Sequence, residues 1–343
     1  MNLGKISCDR NNNLDLVRFV ASIMVIFSHS FPIALGMKQW DPLAILTNDQ
    51  ISFGSLAVSI FFLYGGFLIC KSMHRLQNGK AFFKARMLRI FPPLIAVVLV
   101  SVFVLGPILT NVSLLEYFSD SNTYKYLLNA VLVLQHNLPG VFEHNVYKGV
   151  VNGPLWTMPV EFLCYIMCFI FYKLHMLEKR YMKYTIVIFV VGCLSASALS
   201  AKIAILATMI RPMGLFFVGM VAFVYRDYIR ISSKGCILSV FLIIVSLIAK
   251  VFPYMIFLLL PYLLFFMGYG TKIKFANFAK HGEISYGVYL SAWPIQQIIC
   301  EICGGRMNPV VNFFVATAFA VLTGSIICKI IEEPLAKMVK KKM

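Results

Sequence analysis

The sequence predicts an all-α fold: a polytopic membrane helix bundle with about ten transmembrane helices and both termini cytoplasmic. Three observations carry that expectation. The 343 residues are 60% hydrophobic and only 13% charged, the balance of a membrane bundle rather than of a soluble globule. Apolar runs of spanning length recur along the chain, each near the roughly 20 residues that a bilayer core needs. Lys and Arg crowd into alternate loops, which orients a bundle by the positive-inside rule.

The first run, 14–35, is the most informative. It is long enough to span, yet it carries Asp15, Arg18 and His29. Ionisable groups inside a span are costly and mark functional candidates. At about 100° per residue, Asp15, Arg18, Ser22 and His29 share one narrow sector. Arg18 and His29 are almost in line, roughly 16 Å apart along the axis. Such a stripe faces protein or a water-filled cavity, not lipid. Further spans are predicted at 54–73, 90–110, 154–174, 184–200, 212–225, 235–249, 253–270, 284–302 and 309–331.

Between them, one set of loops holds Lys5 and Arg10, six Lys/Arg between 71 and 89, and more at 173–183, 226–234, 272–280 and 329–342. The other set holds only Lys38, Lys125, Lys148, Lys202, Arg211, Lys250 and Arg306. The first set is therefore assigned to the cytoplasm. The formal net charge of +17 is mostly this topogenic signal, so nucleic acid is not an expected partner. Residues 1–13 lack the apolar core of a signal peptide, so the first span is retained. The nine cysteines are scattered through apolar runs and read as packing residues. Cys300 and Cys303 form a CxxC with no second pair, so no metal site is expected. Neither a GxGxxG nor an HExxH is present. The chain reads as one integral-membrane domain, 1–343, without a fused extracytoplasmic domain. Its 111–153 segment is long for a connection. It is expected to form an interfacial or re-entrant element capping the outer face, against the alternative of a plain surface linker.

Candidate chemistry starts at His29. Near neutral pH an imidazole can be a general base, a proton shuttle or a metal ligand; the plainer alternative is a buried histidine bonded to a helix carbonyl. Glu161 falls roughly 10 Å below the outer boundary and His29 roughly 8 Å below it, counting along each helix. A carboxylate at that depth is expected to orient the imidazole as in a His–acid pair, unless it is protonated and merely bonds a helix. Gln296 and Gln297 reach the same depth and are expected donors to a reacting oxygen. Arg86 and Arg89 share one helix face, and guanidinium forks suit phosphate, although arginine at an inner helix end also serves topology alone. The layout is a cationic site of Arg18, Arg86 and Arg89 at the inner face, with His29 and Glu161 toward the outside.

These residues fall in blocks that resemble the integral-membrane acyltransferase 3 family over nearly the whole chain. Arg18 and His29 match its Arg-x10-His signature. Residues 54–69, GSLAVSIFFLYGGFLI, are similar to its GxxGVxxFFxxSGFLI block. Arg86 and Arg89 match its Arg-x-x-Arg motif. NGPLWT at 152–157, continuing to Glu161, resembles NGxLWT…E, and SYGVYL at 285–290 resembles SYGxYL. Glu333-Pro334 resembles the closing motif. The resemblance implies transfer of an acetyl group from cytosolic acetyl-CoA to a hydroxyl of a polysaccharide or lipid-linked oligosaccharide. It implies His29 as catalytic base with Glu161, and coenzyme phosphates on Arg18, Arg86 and Arg89. Acceptor binding then falls to Trp156, Tyr286, Tyr289, Gln296 and Gln297. A multi-pass protein of the bacterial inner membrane is expected, surrounded by lipid, with oligomeric state open. Two positions depart from the family. Gly65 stands where Ser is usual, and Ala292 stands where a second histidine is frequent, so His29 is expected to act with Glu161 or alone. The competing class, a proton-coupled transporter or flippase, also uses intramembrane His, Glu and Arg. Its folds often repeat in two halves, and no such symmetry is visible.

Overall fold

The computed structural model describes all residues except 10, 38, 40, 201, 202, 281, 342 and 343, and leaves out the side chains of 204, 205 and 339–341. Of the charges used for orientation, Arg10, Lys38, Lys202 and Lys342 thus lie outside the described residues. Among the described residues there is no strand, only isolated bridges. Ten long helices follow one another: α1 Leu14–Leu35, α2 Phe53–Leu76, α3 Gly79–Val100, α4 Thr157–Lys173, α5 Met182–Ser200, α6 Ala204–Val224, α7 Ser233–Ile248, α8 Phe252–Phe265, α9 Ser285–Ile302 and α10 Pro309–Ile327. Eight are long and apolar enough to cross a membrane. α7, at 16 residues, is shorter, and α9 interrupts its apolar run with Ser291, Gln296, Gln297 and Glu301.

Local chemistry sets the helix ends. Ser52 and Ser55 cap α2 reciprocally, and Gln77 closes it in the left-handed region, as N- and C-caps require. Asn78 then caps α3, accepting from the Ala81 N–H. α3 therefore starts eleven residues before the apolar run predicted at Ile90. Lys, Ala, Arg and Met in that stretch are good helix formers, so the helix outruns its hydrophobic part and carries Arg86 and Arg89 on its first turns. π-turns extend α3 (Ser101–Leu105), α8 (Phe266–Gly270) and α10 (Cys328–Glu332). The displaced polar groups find partners: Tyr117 Oη donates to the Val102 carbonyl at 2.9 Å, and Tyr64 Oη to that of Leu264 at 2.6 Å.

α2 is central, packed against α6, α1 and α4, while α9 and α10 close on α1. The α2–α6 crossing depends on glycine. A Cβ on Gly66 would lie 1.8 Å from the Phe216 carbonyl oxygen, and one on Gly219 2.2 Å from that of Leu63. Small residues at such crossings let backbones approach closely. Large apolar side chains on α5, α7 and α10, such as Val187, Ile237 and Phe314, point outward, the surface a lipid-embedded bundle presents. The N-terminal amine donates to the Ile231 carbonyl and Lys71 to that of Ser7, so the N-terminus sits on the same face as the α2–α3 and α6–α7 loops. That is the face on which the positive charge collects.

The 111–153 segment holds two short helices, Leu114–Ser119 and Ser121–Lys125, and a 3-10 turn, Tyr126–Val131. It folds back on α3 and buries Tyr117 and Tyr126 fully.

Candidate active site: two cavities and a shared wall

Two of the cavities between the helices hold the candidate residues. The first, about 140 Å³, holds Arg18, Arg86, Arg89, Glu161, Tyr165 and Tyr286. Its charges are organised by Glu283, in the loop before α9. One oxygen, Oε2, receives Arg18 Nη1 at 3.1 Å and Arg89 Nη2 at 2.7 Å. The other, Oε1, accepts from the Ser285 N–H at 3.0 Å and from its hydroxyl. Burial alone would push this carboxyl up. The guanidinium groups of Arg18 and Arg89, with the Ser285 hydrogen bond, outweigh it and hold the pKa at about 2. A carboxylate bridging two arginines fixes both forks in one place. Arg86 is different: its Nε is buried and has no partner.

The second cavity, about 820 Å³, holds His29. The Trp293 ring meets the imidazole edge-on at 4.9 Å. That indole is itself held by Nε1 donating to the Val150 carbonyl at 3.0 Å. His29 Nδ1 is buried without a hydrogen bond, which leaves Nε2 as the nitrogen for the cavity. His136, Asn137, Tyr147 and Val150 of the 111–153 segment line the same space, and burial lowers the pKa of His136.

Val58 on α2 and Tyr289 on α9 line both cavities. They form the wall between them. Tyr289 is locked in that wall: its hydroxyl shares a 2.8 Å hydrogen bond with Thr157 Oγ1 and donates to the Pro154 carbonyl at 3.1 Å. The 3-10 turn Gly153–Trp156 delivers Pro154, and with it Trp156 reaches the histidine cavity.

Three expectations from sequence are corrected. Glu161 does not join His29; it lines the arginine cavity, where its Oε1 accepts from Tyr165. A depth counted along a helix does not fix azimuth, and the four-residue step from Glu161 to Tyr165 turns both toward the cavity that Arg86 and Arg89 of α3 line. Among the described residues lining the histidine cavity, the carboxylate is Asp41. It is 2% exposed, caps Pro42–Leu46 through the Ala44 N–H, and accepts from Ser28 Oγ and the Phe53 N–H. Its sequence signal was Asp-Pro at a helix start, a capping pattern with nothing to connect it to His29.

Gln296 and Gln297 are fully buried, and their amide hydrogens are committed. Gln296 Nε2 donates to the Ile26 carbonyl and Asn312 Oδ1; Gln297 Nε2 donates to the carbonyls of Tyr147 and Val150. They tie α9 to α1, α10 and the 111–153 segment, and have no hydrogen left for a reacting oxygen. Arg211 is not a loop charge; it lies inside α6 and lines the histidine cavity.

Tyr286 and Tyr289 divide. Tyr286 faces the arginine cavity and donates to the Ile90 carbonyl at 2.9 Å; Tyr289 faces both. The two departures from the family pattern also resolve differently. A Cβ on Gly65 would meet the Phe216 ring at an ordinary 3.5 Å. Ala292 packs with the Ile26, Ala316 and Ala320 core and lines neither cavity. Among the described residues, no group of three or more His, Cys, Asp or Glu could hold a metal ion.

Comparison with known proteins adds three findings. The sequence profile described as an acyltransferase domain matches residues 11–330. The O-acetyl transferase of Shigella phage Sf6 is 28% identical over 299 residues, 84% of this chain and 86% of that protein. Nodulation protein 10 of Rhizobium leguminosarum bv. viciae is 32% identical over 165 residues, 47% of this chain and 44% of that protein. No solved structure matches the chain.

Proposed function

The chain belongs to the integral-membrane acyltransferase 3 family, and from that premise we propose that it moves an acetyl group from cytosolic acetyl-CoA to a hydroxyl of a polysaccharide or lipid-linked oligosaccharide. It is an O-acyltransferase and a membrane protein; the bacterial inner membrane is the site proposed. The observation that carries the proposal is the pair of cavities meeting at Val58 and Tyr289. Coenzyme phosphates bind Arg18, Arg86 and Arg89 on the positively charged face, taken as cytoplasmic. The pantetheine arm passes the Val58–Tyr289 wall, and the thioester reaches the histidine cavity.

There, Nε2 of His29 takes the proton of the acceptor hydroxyl as its oxygen attacks the thioester carbon. The C–S bond breaks, the ester forms, and the coenzyme thiolate recovers the proton from the imidazolium. The Asp41 carboxylate faces the same cavity and favours the imidazolium electrostatically. General-base help of this kind is worth roughly 10²–10⁴ in rate. Glu161 belongs with the arginines, where its charge tunes the coenzyme end.

The test is transfer itself. The full chain in nanodiscs, given radiolabelled acetyl-CoA and a lipid-linked glycan extract, is expected to leave label in the glycan as base-labile ester. Label that appears in no ester, while the same protein in vesicles moves glycan across the bilayer, would overturn the proposal in favour of transport.

A further inference from the structure

The histidine cavity contains a cation that acetyl transfer does not need. Arg211 sits inside α6, next to Pro212, in an otherwise apolar stretch. Its side chain reaches the cavity. Among the described residues it has no ion pair, and its hydrogen bond to protein is a long one, 3.5 Å from Nη2 to the Gln50 carbonyl. A guanidinium carries five N–H donors, so most of them are left for whatever fills the cavity. Among the described residues Arg211 makes no ion pair with the carboxylate that shares this space. Asp41 is taken up by Ser28, Ala44 and Phe53.

The contrast with the other cavity is informative. There, Arg18 and Arg89 are each paired with Glu283. A charge within a span is costly and is normally paired or faces a functional cavity. Arg211 is half-buried, and among the described residues it has no ion pair, in a cavity of about 820 Å³. That volume lies in the upper part of the roughly 300–1,000 Å³ range of ligand pockets and is enough for a sugar. Its walls fit a sugar as well: Trp156, Trp293 and Tyr147 offer flat apolar faces with polar edges, and Asn137 and Gln39 offer amides.

We propose that Arg211 is the anion-recognising residue of the acceptor site, and that the acceptor carries a carboxylate or phosphate group there. The group belongs either to an acidic sugar or to the diphosphate of a polyprenyl carrier. A guanidinium binds both through paired, charge-assisted hydrogen bonds. The inference rests on the proposed function for calling this cavity the acceptor site.

Trp156 and Trp293 provide a readout that does not depend on turnover. The full chain in nanodiscs is titrated with digalacturonate and with farnesyl diphosphate, and with maltose and farnesol as their neutral counterparts, following intrinsic fluorescence. At least one anionic probe is expected to give saturable quenching that its neutral counterpart lacks. Arg211→Gln should weaken that binding at least about tenfold, whereas Arg211→Lys, which keeps the charge, should weaken it only about threefold. Quenching by digalacturonate alone assigns the acidic sugar; quenching by farnesyl diphosphate alone assigns the carrier lipid. Binding of neither anion, or equal binding by wild type and Arg211→Gln with unchanged gel-filtration profiles, overturns the inference. Because binding is measured, anion recognition that survives alongside a failed transfer assay would separate this inference from the proposed function.

Discussion

The two cavities handle charge in opposite ways. In the arginine cavity, a half-buried carboxylate holds two guanidinium groups before any ligand arrives, with Glu283 at 3.1 Å from Arg18 and 2.7 Å from Arg89. In the histidine cavity, His29 Nδ1 has no partner and Arg211 has one long hydrogen bond. The first is preorganised and must trade protein contacts for ligand contacts. The second is left less complete, with most of the Arg211 donors still uncommitted. A site that binds a constant coenzyme gains from being fixed in advance, because less ordering remains to be done on binding. A site where a proton must move gains from a base that no other group has already engaged.

The largest effect is expected where that contrast is sharpest. His29→Ala should reduce acetyl transfer by about 10³-fold, within the range for a lost general base, and leave acetyl-CoA binding within about twofold. Single-turnover transfer and equilibrium binding on one nanodisc preparation measure the two. A parallel loss of coenzyme affinity would mean that the cavities are not separate in function.

The converse change attacks the preorganised side. Glu283→Gln leaves Arg18 and Arg89 without their shared counter-charge in a partly solvated site, and screening brings the cost below that of a fully buried pair, to about 1–3 kcal/mol. Thermal unfolding in detergent should fall accordingly. The same carboxylate sets an acid limit. Its pKa is lowered to about 2 in the folded protein, so its contribution is fully present above the ordinary glutamate value near 4.5. It is lost as pH falls from there through about 2. Between pH 7 and 5, Glu283 should contribute no change in stability. Below pH 4.5 the wild type should lose its advantage over Glu283→Gln, and a constant gap between the two melting curves down to pH 2.5 would refute the bridge.

How much of this was visible beforehand follows the same division. The stripe on α1 was legible, because helical periodicity alone puts Arg18 and His29 in line, and each lines one cavity. The ten helices were legible from apolar runs. What was not legible depends on azimuth and on loops. Depth along the helix does not tell which side Glu161 faces. Asp41 and Glu283 sit in connections, where no period relates them to a partner many residues away. Arg211 was misread because Pro212 was taken as a helix start, where proline is favoured. α6 instead begins at Ala204 and carries the proline internally, as membrane bundles tolerate. The glutamines of α9 were read as donors from depth, and only the packing of α9 against α1 and α10 reveals that their hydrogens are spent.

Arg86 tests whether an unpartnered group in the arginine cavity behaves like the incomplete side. Its Nε is buried without a partner, so a coenzyme phosphate would gain a charge-assisted hydrogen bond worth about 1.5–3 kcal/mol. Arg86→Ala should weaken acetyl-CoA binding about 30-fold with little change in melting temperature. The same substitution at Arg89, which is tied to Glu283, should lower both. Isothermal titration and thermal unfolding on the two variants give the comparison, and equal stability losses would erase the distinction between committed and free arginines.

The smallest expected effect probes the wall itself. Val58 lines both cavities from α2, opposite the hydrogen-bonded Tyr289. Val58→Phe adds volume where the pantetheine arm is proposed to pass, without touching a charged group. Transfer should fall about tenfold. Binding of 3′-phosphoadenosine diphosphate, which has the coenzyme's phosphates but not its arm, should stay the same, because its contacts lie with the arginines. Binding of whole acetyl-CoA should weaken between these limits, since the arm loses its place and the nucleotide does not. If transfer is undiminished while the phenyl ring is accommodated, the acetyl group reaches His29 by another route, and the two cavities communicate somewhere other than between α2 and α9.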